Sequence, residues 1–78
     1  MDIEISPHAR ESMQKHFITE DEVKAAIIDG ETEFEIIAKG EKRYVNVLTE
    51  KTRKLVAIWT YKNSKKRVIT CYPLRRKV

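Results

Sequence analysis

The spacing of apolar residues changes at Gly30, and that change limits what the chain can fold into more than any other feature. Before it the pattern is helical. Ser6-Pro7 suits a helix start, with serine as cap and proline in the first turn. Ala9, Met13, His16 and Phe17 then fall on one side of a first helix. Thr19 with Glu22 three residues on reads as a capping box, framed by Ile18 and Val23 as a hydrophobic staple. Glu20, Asp21 and Glu22 favour the positive end of the helix dipole, Val23, Ala26 and Ile27 form a buried stripe, and Gly30 closes the helix. After Gly30 the period becomes two. "TEFEIIA" (32–38), "KRYVNVLTE" (42–50), "KLVAIWTY" (54–61) and "RVITCY" (67–72) read as four strands joined by short polar turns. Pro73 is expected to end the last one. Short turns imply antiparallel neighbours. The expected fold is α+β: two N-terminal helices packed on one face of a four-stranded antiparallel sheet.

Seventy-eight residues make one domain, 1–78, with a basic tail at 74–78. A chain this short buries only about 60% of its unfolded surface, so its core is thin. One cysteine, Cys71, cannot form an internal disulfide, which fits a reducing compartment. One cysteine and two histidines do not make a zinc site, so no metal or other cofactor is expected. No apolar run approaches the length of a membrane span, and "MDIEISPH" is too acidic for a signal peptide. The expectation is a soluble cytoplasmic protein without membrane contact.

Charge is distributed unevenly. Residues 1–50 hold all 12 acidic residues beside 6 basic ones; residues 51–78 hold 10 basic residues and no acid. A polyanion or an acidic partner would suit the second half. A basic half that neutralises the acidic one within a single fold explains the same numbers.

Three groups of residues could carry chemistry. His8 lies at the border of the apolar stripe of helix one, where a general base can be partly desolvated yet reach substrate. An ordinary surface histidine fits the same spacing. The strands carry Arg43, Lys62, Lys65, Lys66 and Arg67, with Arg53 and Lys54 at the preceding turn, interleaved with Tyr44, Trp59, Tyr61 and Tyr72. Cations beside stacking rings are how single-stranded RNA is held. Trp59 is expected mainly in the core, and Tyr72, next to Pro73, is the better exposed ring. Arg10 adds a cation on helix one, and Arg75 and Arg76 in the tail could meet phosphates or be simply solvated. With two glycines in the chain, a nucleotide-binding loop is excluded.

"SPHARESMQKHFITEDEVKAAIIDGE", followed by "KRYVNVL", "KLVAIWTY" and "RVITCYP", resembles the domain of unknown function four-two-five-eight family over nearly the whole chain. That family reads His-Ala-x-x-Arg-Met, with His8 at its leading histidine, Met13 and Ile18 at core positions and Arg43 in the sheet. Ser12 replaces its arginine before the methionine, and His16 and Phe17 replace a later arginine and glycine. The order of elements also resembles the BrnT toxins and, with them, the RelE-like toxins. That resemblance implies a small ribonuclease with two helices and a curved sheet, neutralised by an antitoxin. Metal-independent RNA cleavage needs a base for the 2′-hydroxyl, an acid for the leaving oxygen and cations for the phosphorane. The expected roles are His8 as base, Arg43 and Arg67 at the phosphate, and Tyr72 as stacking ring or proton donor. The alternative is a non-catalytic module binding RNA or a protein partner on the same fold. Dimerisation through an open sheet edge is a third possibility.

Overall fold

The computed structural model describes residues 2–75. The order is β1 (Ile3–Ile5), α1 (Pro7–His16), α2 (Glu20–Ile28), β2 (Glu31–Ala38), β3 (Glu41–Thr49), β4 (Arg53–Lys62) and β5 (Lys65–Arg75). The strands form one sheet in the order β1-β5-β4-β3-β2. Four of them are the expected antiparallel set. The expectation of an all-antiparallel, four-stranded sheet is corrected by β1, which pairs parallel to β5. Three residues, Ile-Glu-Ile, are too few to display a period, and a parallel partner distant in sequence leaves no local turn signal.

The helices begin where their caps dictate. Ser6 Oγ accepts from the Ala9 amide and donates to the Ile69 carbonyl, while the Ser6 amide donates to Val68 O. One serine therefore caps α1 and joins β1 to β5. Phe17, left-handed at φ 54°, ends that helix. Thr19 and Glu22 make the expected reciprocal capping box on α2, and Ile18 and Val23 beside it are buried. Gly30 closes α2 as expected, its amide donating to the Ala25 carbonyl at 3.2 Å, but without left-handed geometry. Asp29, in right-handed helical geometry, is the C-cap. Gly30 is required for space, since a Cβ there would stand 2.3 Å from the Ala26 carbonyl oxygen and 3.0 Å from that of Val47.

Pro73 does not end the last strand. It pairs with Leu55, and β5 runs on through Arg75 opposite Arg53. β1 covers β5 only from Lys66 to Val68, so at Pro73 the strand has a free side where a missing N–H costs no ladder bond. The basic tail expected from residue 74 thus begins as strand; Arg76 and the residues after it lie outside the described residues.

Alternation along the strands assigns two faces. Leu55, Ala57 and Trp59 of β4, Tyr44, Asn46 and Leu48 of β3, and Val68 and Cys71 of β5 face the helices. There they pack with Ile5, Ala9, Met13, Ile18, Val23, Ala26 and Ile27. The opposite, open face carries Val45 and Val47, then Lys54, Val56, Ile58 and Thr60, and on β5 Arg67, Tyr72 and Leu74. Phe34 and Ile36 continue it onto β2. An extra residue in β5, Ile69, lets both Val68 and Cys71 face the helices, because Trp59 pairs with Val68 and Ile58 with Thr70.

Candidate functional site on the open sheet face

The site residues expected from the sequence are divided by the sheet. Arg67 pairs in register with Thr60 of β4. Tyr44 pairs with Trp59, so Arg43 lies level with Thr60 on the other side. The two arginines therefore flank Thr60 in one row across the open face, two strand spacings or roughly 10 Å apart at the backbone. Each is 28–29% exposed and leans on a neighbouring carboxylate, Arg43 on Glu41 at 3.1 Å and Arg67 on Glu4 at 3.3 Å. Those carboxylates are more exposed than the arginines, so the pairs are weak enough to yield to a phosphate. Lys62 and Lys65 pair with each other at the hairpin end of this face. Tyr72 pairs with Val56, four residues from Thr60 and roughly 13 Å along the strand. It lines a shallow groove with Phe34, Ile36, Val47, Lys54 and Leu74.

His8 is not part of this assembly. It stands exposed on the first turn of α1, behind the sheet from Arg43, Arg67 and Tyr72. The four residues expected at one phosphate are not gathered around one point.

Other expected cations have structural partners. Arg10 lies 3.9 Å from Glu20. Lys66 belongs to the helix-bearing face, its ammonium 4.6 Å from the centre of the Trp59 ring. Trp59 in turn stacks on Tyr44 at 4.5 Å and meets Tyr61 edge-on at 5.1 Å. Arg75 pairs with Arg53 in the β4–β5 ladder. Cys71 is fully buried, its thiol 3.8 Å from the Ala9 carbonyl and pushed up by burial, so it is no nucleophile.

Arg53 is the largest departure. Expected at a phosphate, it holds the ends of both helices instead. Its guanidinium donates to the carbonyls of His16 and Phe17 at the end of α1, to Glu22 in the first turn of α2, and to Glu50. The Thr19 amide, and then hydrogen bonds with Glu50 and Arg53, hold the Glu22 carboxyl at about 2 against the opposing effect of burial. Burial, and next its hydrogen bond to Glu22, pushes the Glu50 carboxyl up. The signs are opposite. Glu22 supports folding above its unfolded value of 4.5, and that support is lost as pH falls through 2. Glu50 supports folding when protonated, so its contribution is lost as pH rises through its raised value. Thermal midpoints are therefore expected to rise modestly as pH falls from neutral towards the ordinary carboxylate value of 4.5 and to fall on further acidification. Glu50→Gln is expected to remove the rise and keep the fall; a wild-type midpoint with no rise between neutral pH and 4.5 would contradict the coupling.

The only signal in the sequence for the Arg43–Thr60–Arg67 row was residue type. Register placed the three together, and register between β3, β4 and β5 depends on turn geometry and on the bulge at Ile69. Among the described residues, no cluster of three or more possible metal-binding side chains occurs, and no helix is long and apolar enough to cross a membrane.

No curated protein and no solved structure matches the chain. A family model does, over residues 5–73, from the strand that Ser6 ties to β5 through to the proline opposite Leu55. The chain belongs to the family described as Domain of unknown function (DUF4258).

Proposed function

We propose that the open sheet face binds RNA and that the chain is an RNA-directed member of the RelE- and BrnT-like toxin lineage its sequence resembles, held in check by an antitoxin. The observation carrying this reading is the row Arg43–Thr60–Arg67, with Lys62 and Lys65 beside it and the Tyr72 ring further along the same face. Arginine forks suit phosphate oxygens, and a half-exposed ring suits a base stacked further along an extended strand.

Cleavage is the second reading, and one observation favours it. Tyr72 and Lys54 line the same groove, with Lys54 two residues from Tyr72's partner Val56. There, as the 2′-oxygen attacks phosphorus and gives its proton to solvent, a phenol could pass a proton to the leaving 5′-oxygen beside an ammonium that steadies the phosphorane. His8, behind the sheet, has no part in such a step.

The test uses purified protein with chelator present, given total RNA and ribosomes, as wild type, His8→Ala and Tyr72→Phe. Retention of labelled single-stranded RNA without cleavage supports the binding reading. Cleavage that survives His8→Ala and fails in Tyr72→Phe establishes the second. Cleavage abolished by His8→Ala would overturn both placements, and failure to retain RNA would overturn the assignment of the face.

A further inference from the structure

The outer edge of β2 lies beyond the arginine row, with Ile36 between that edge and Arg43. β2 is the last strand of the sheet, bonded on one side to β3 alone, and it is exposed along its length except at Ala38. Beyond an irregularity at Glu33, its pairing with β3 is regular from Phe34 to Ala38. The backbone groups on its free side form a template for another strand. Natural edges are commonly blunted by lysine, proline, bulges or charges; β2 has no lysine or proline, its bulge at Glu33 leaves Phe34 to Ala38 in regular pairing, and its charges are all acidic. It displays Phe34, Ile36 and Ile37 at 63, 44 and 78% exposure. Phe34 and Ile36 lie beside Val45 and Val47 and extend the apolar groove to the rim of the sheet.

Charge decides the occupant. β2 also carries Glu31, Glu33 and Glu35; Glu35 meets Lys42 at 3.2 Å, and the other two have no ion pair among the described residues. A second copy is a poor match. Pairing β2 with β2 sets two strands of three glutamates each side by side, and in antiparallel registers centred on Glu33 or Phe34 glutamates stand directly opposite, which destabilises a ladder. Pairing β2 with the other edge brings it against β1, which offers three residues, an acid among them. We propose that the β2 edge accepts an extended segment of a different protein, one that adds a strand to the sheet. That segment places apolar side chains beside Phe34 and Ile36 on the open face, and lysine or arginine on its other side, beside Glu35 and the bulged Glu33. Backbone bonding supplies the grip, and the carboxylates reject acidic or self-derived strands.

The probe is a seven-residue peptide of alternating lysine and valine, titrated into the full chain while backbone amide resonances are followed. Saturable shifts confined to residues 31–38 and their β3 partners are expected. A peptide with glutamate for lysine should bind at least about tenfold more weakly. Methylating one alternate set of peptide nitrogens should abolish binding and methylating the other should spare it, because only one set faces the edge. Glu33→Lys with Glu35→Lys should reverse the charge preference. Arg67→Ala, three strands from β2, should leave peptide binding unchanged, which separates this edge from the RNA reading. Equal binding of both peptides, indifference to methylation, shifts centred on Tyr72 and Lys54, or a wild-type dimer joined through β2 would each overturn the proposal.

Discussion

Asn46→Ala should lose about 3–5 kcal/mol of folding stability, several buried hydrogen bonds at about 1–3 kcal/mol each. For a domain of this size that approaches the whole margin, at about 0.05–0.15 kcal/mol per residue. Asn46 is 2% exposed at the centre of β3. Its amide nitrogen donates to the carbonyls of Ala26 and Ile27 at 3.1 and 3.3 Å, two of the groups left without partners at the end of α2. Its oxygen accepts from the Trp59 indole at 2.9 Å and from the Thr32 hydroxyl at 2.7 Å. One side chain therefore completes a helix end, fixes the largest core ring and ties β2 to β3. Alanine leaves the indole N–H and two carbonyls buried without partners. Thr32, exposed, turns to water. Asn46→Asp separates hydrogen bonding from volume: it keeps the acceptor but aims carboxylate oxygen at two carbonyl oxygens, so it should cost at least as much as alanine. Chemical denaturation monitored by Trp59 fluorescence reads both. An aspartate variant as stable as wild type would show that the two carbonyls do not depend on Asn46.

The helices were legible in the sequence because their signals are local. Ser6, Thr19 and Glu22 act on amides three residues away or fewer, and each does what its position implies. Four strands were legible from alternation. β1 was not, since its meaning lies in Val68 and Ile69 at the far end of the chain. The roles of Asn46 and Arg53 were hidden for the same reason. A polar residue in an alternating strand reads as solvent-facing until the partner element is known, and an arginine at a turn reads as a free cation until two helix ends are found beneath it. The candidate site lies between these cases. Arg43, Arg67 and Tyr72 were identifiable by type, but the face each occupies depends on register, and the extra residue at Ile69 changes the parity between Arg67 and Tyr72. His8 is expected with them from its place beside the apolar stripe of α1 and from its family position, and neither carries information about the side of the sheet.

Replacing Arg43 and Arg67 together with alanine should lower affinity for single-stranded RNA by at least about 100-fold, since two charge-assisted contacts at about 1.5–3 kcal/mol each amount to about 3 kcal/mol or more. The salt dependence should change with it. Each phosphate neutralised on a single strand adds about 0.7 to the slope of log affinity against log salt, so losing two should flatten it by about 1.4. Lysine at both positions should restore most of the slope but less of the affinity, because an ammonium lacks the planar fork. Glu41→Gln should strengthen binding, since it removes the carboxylate that now engages Arg43. These readouts separate contact from stability. Arg67 also ties β1 to β5 through Glu4, so its loss can lower the melting temperature, and a purely structural effect would weaken binding without changing the slope. Lys54→Ala and Tyr72→Phe should act differently. The first should lower the slope by about half as much, and the second should leave it unchanged, since a phenol carries no charge to release counterions. An unaltered slope in the double alanine variant would remove the arginine row from the RNA surface. It would leave the groove around Tyr72 as a place for an apolar partner.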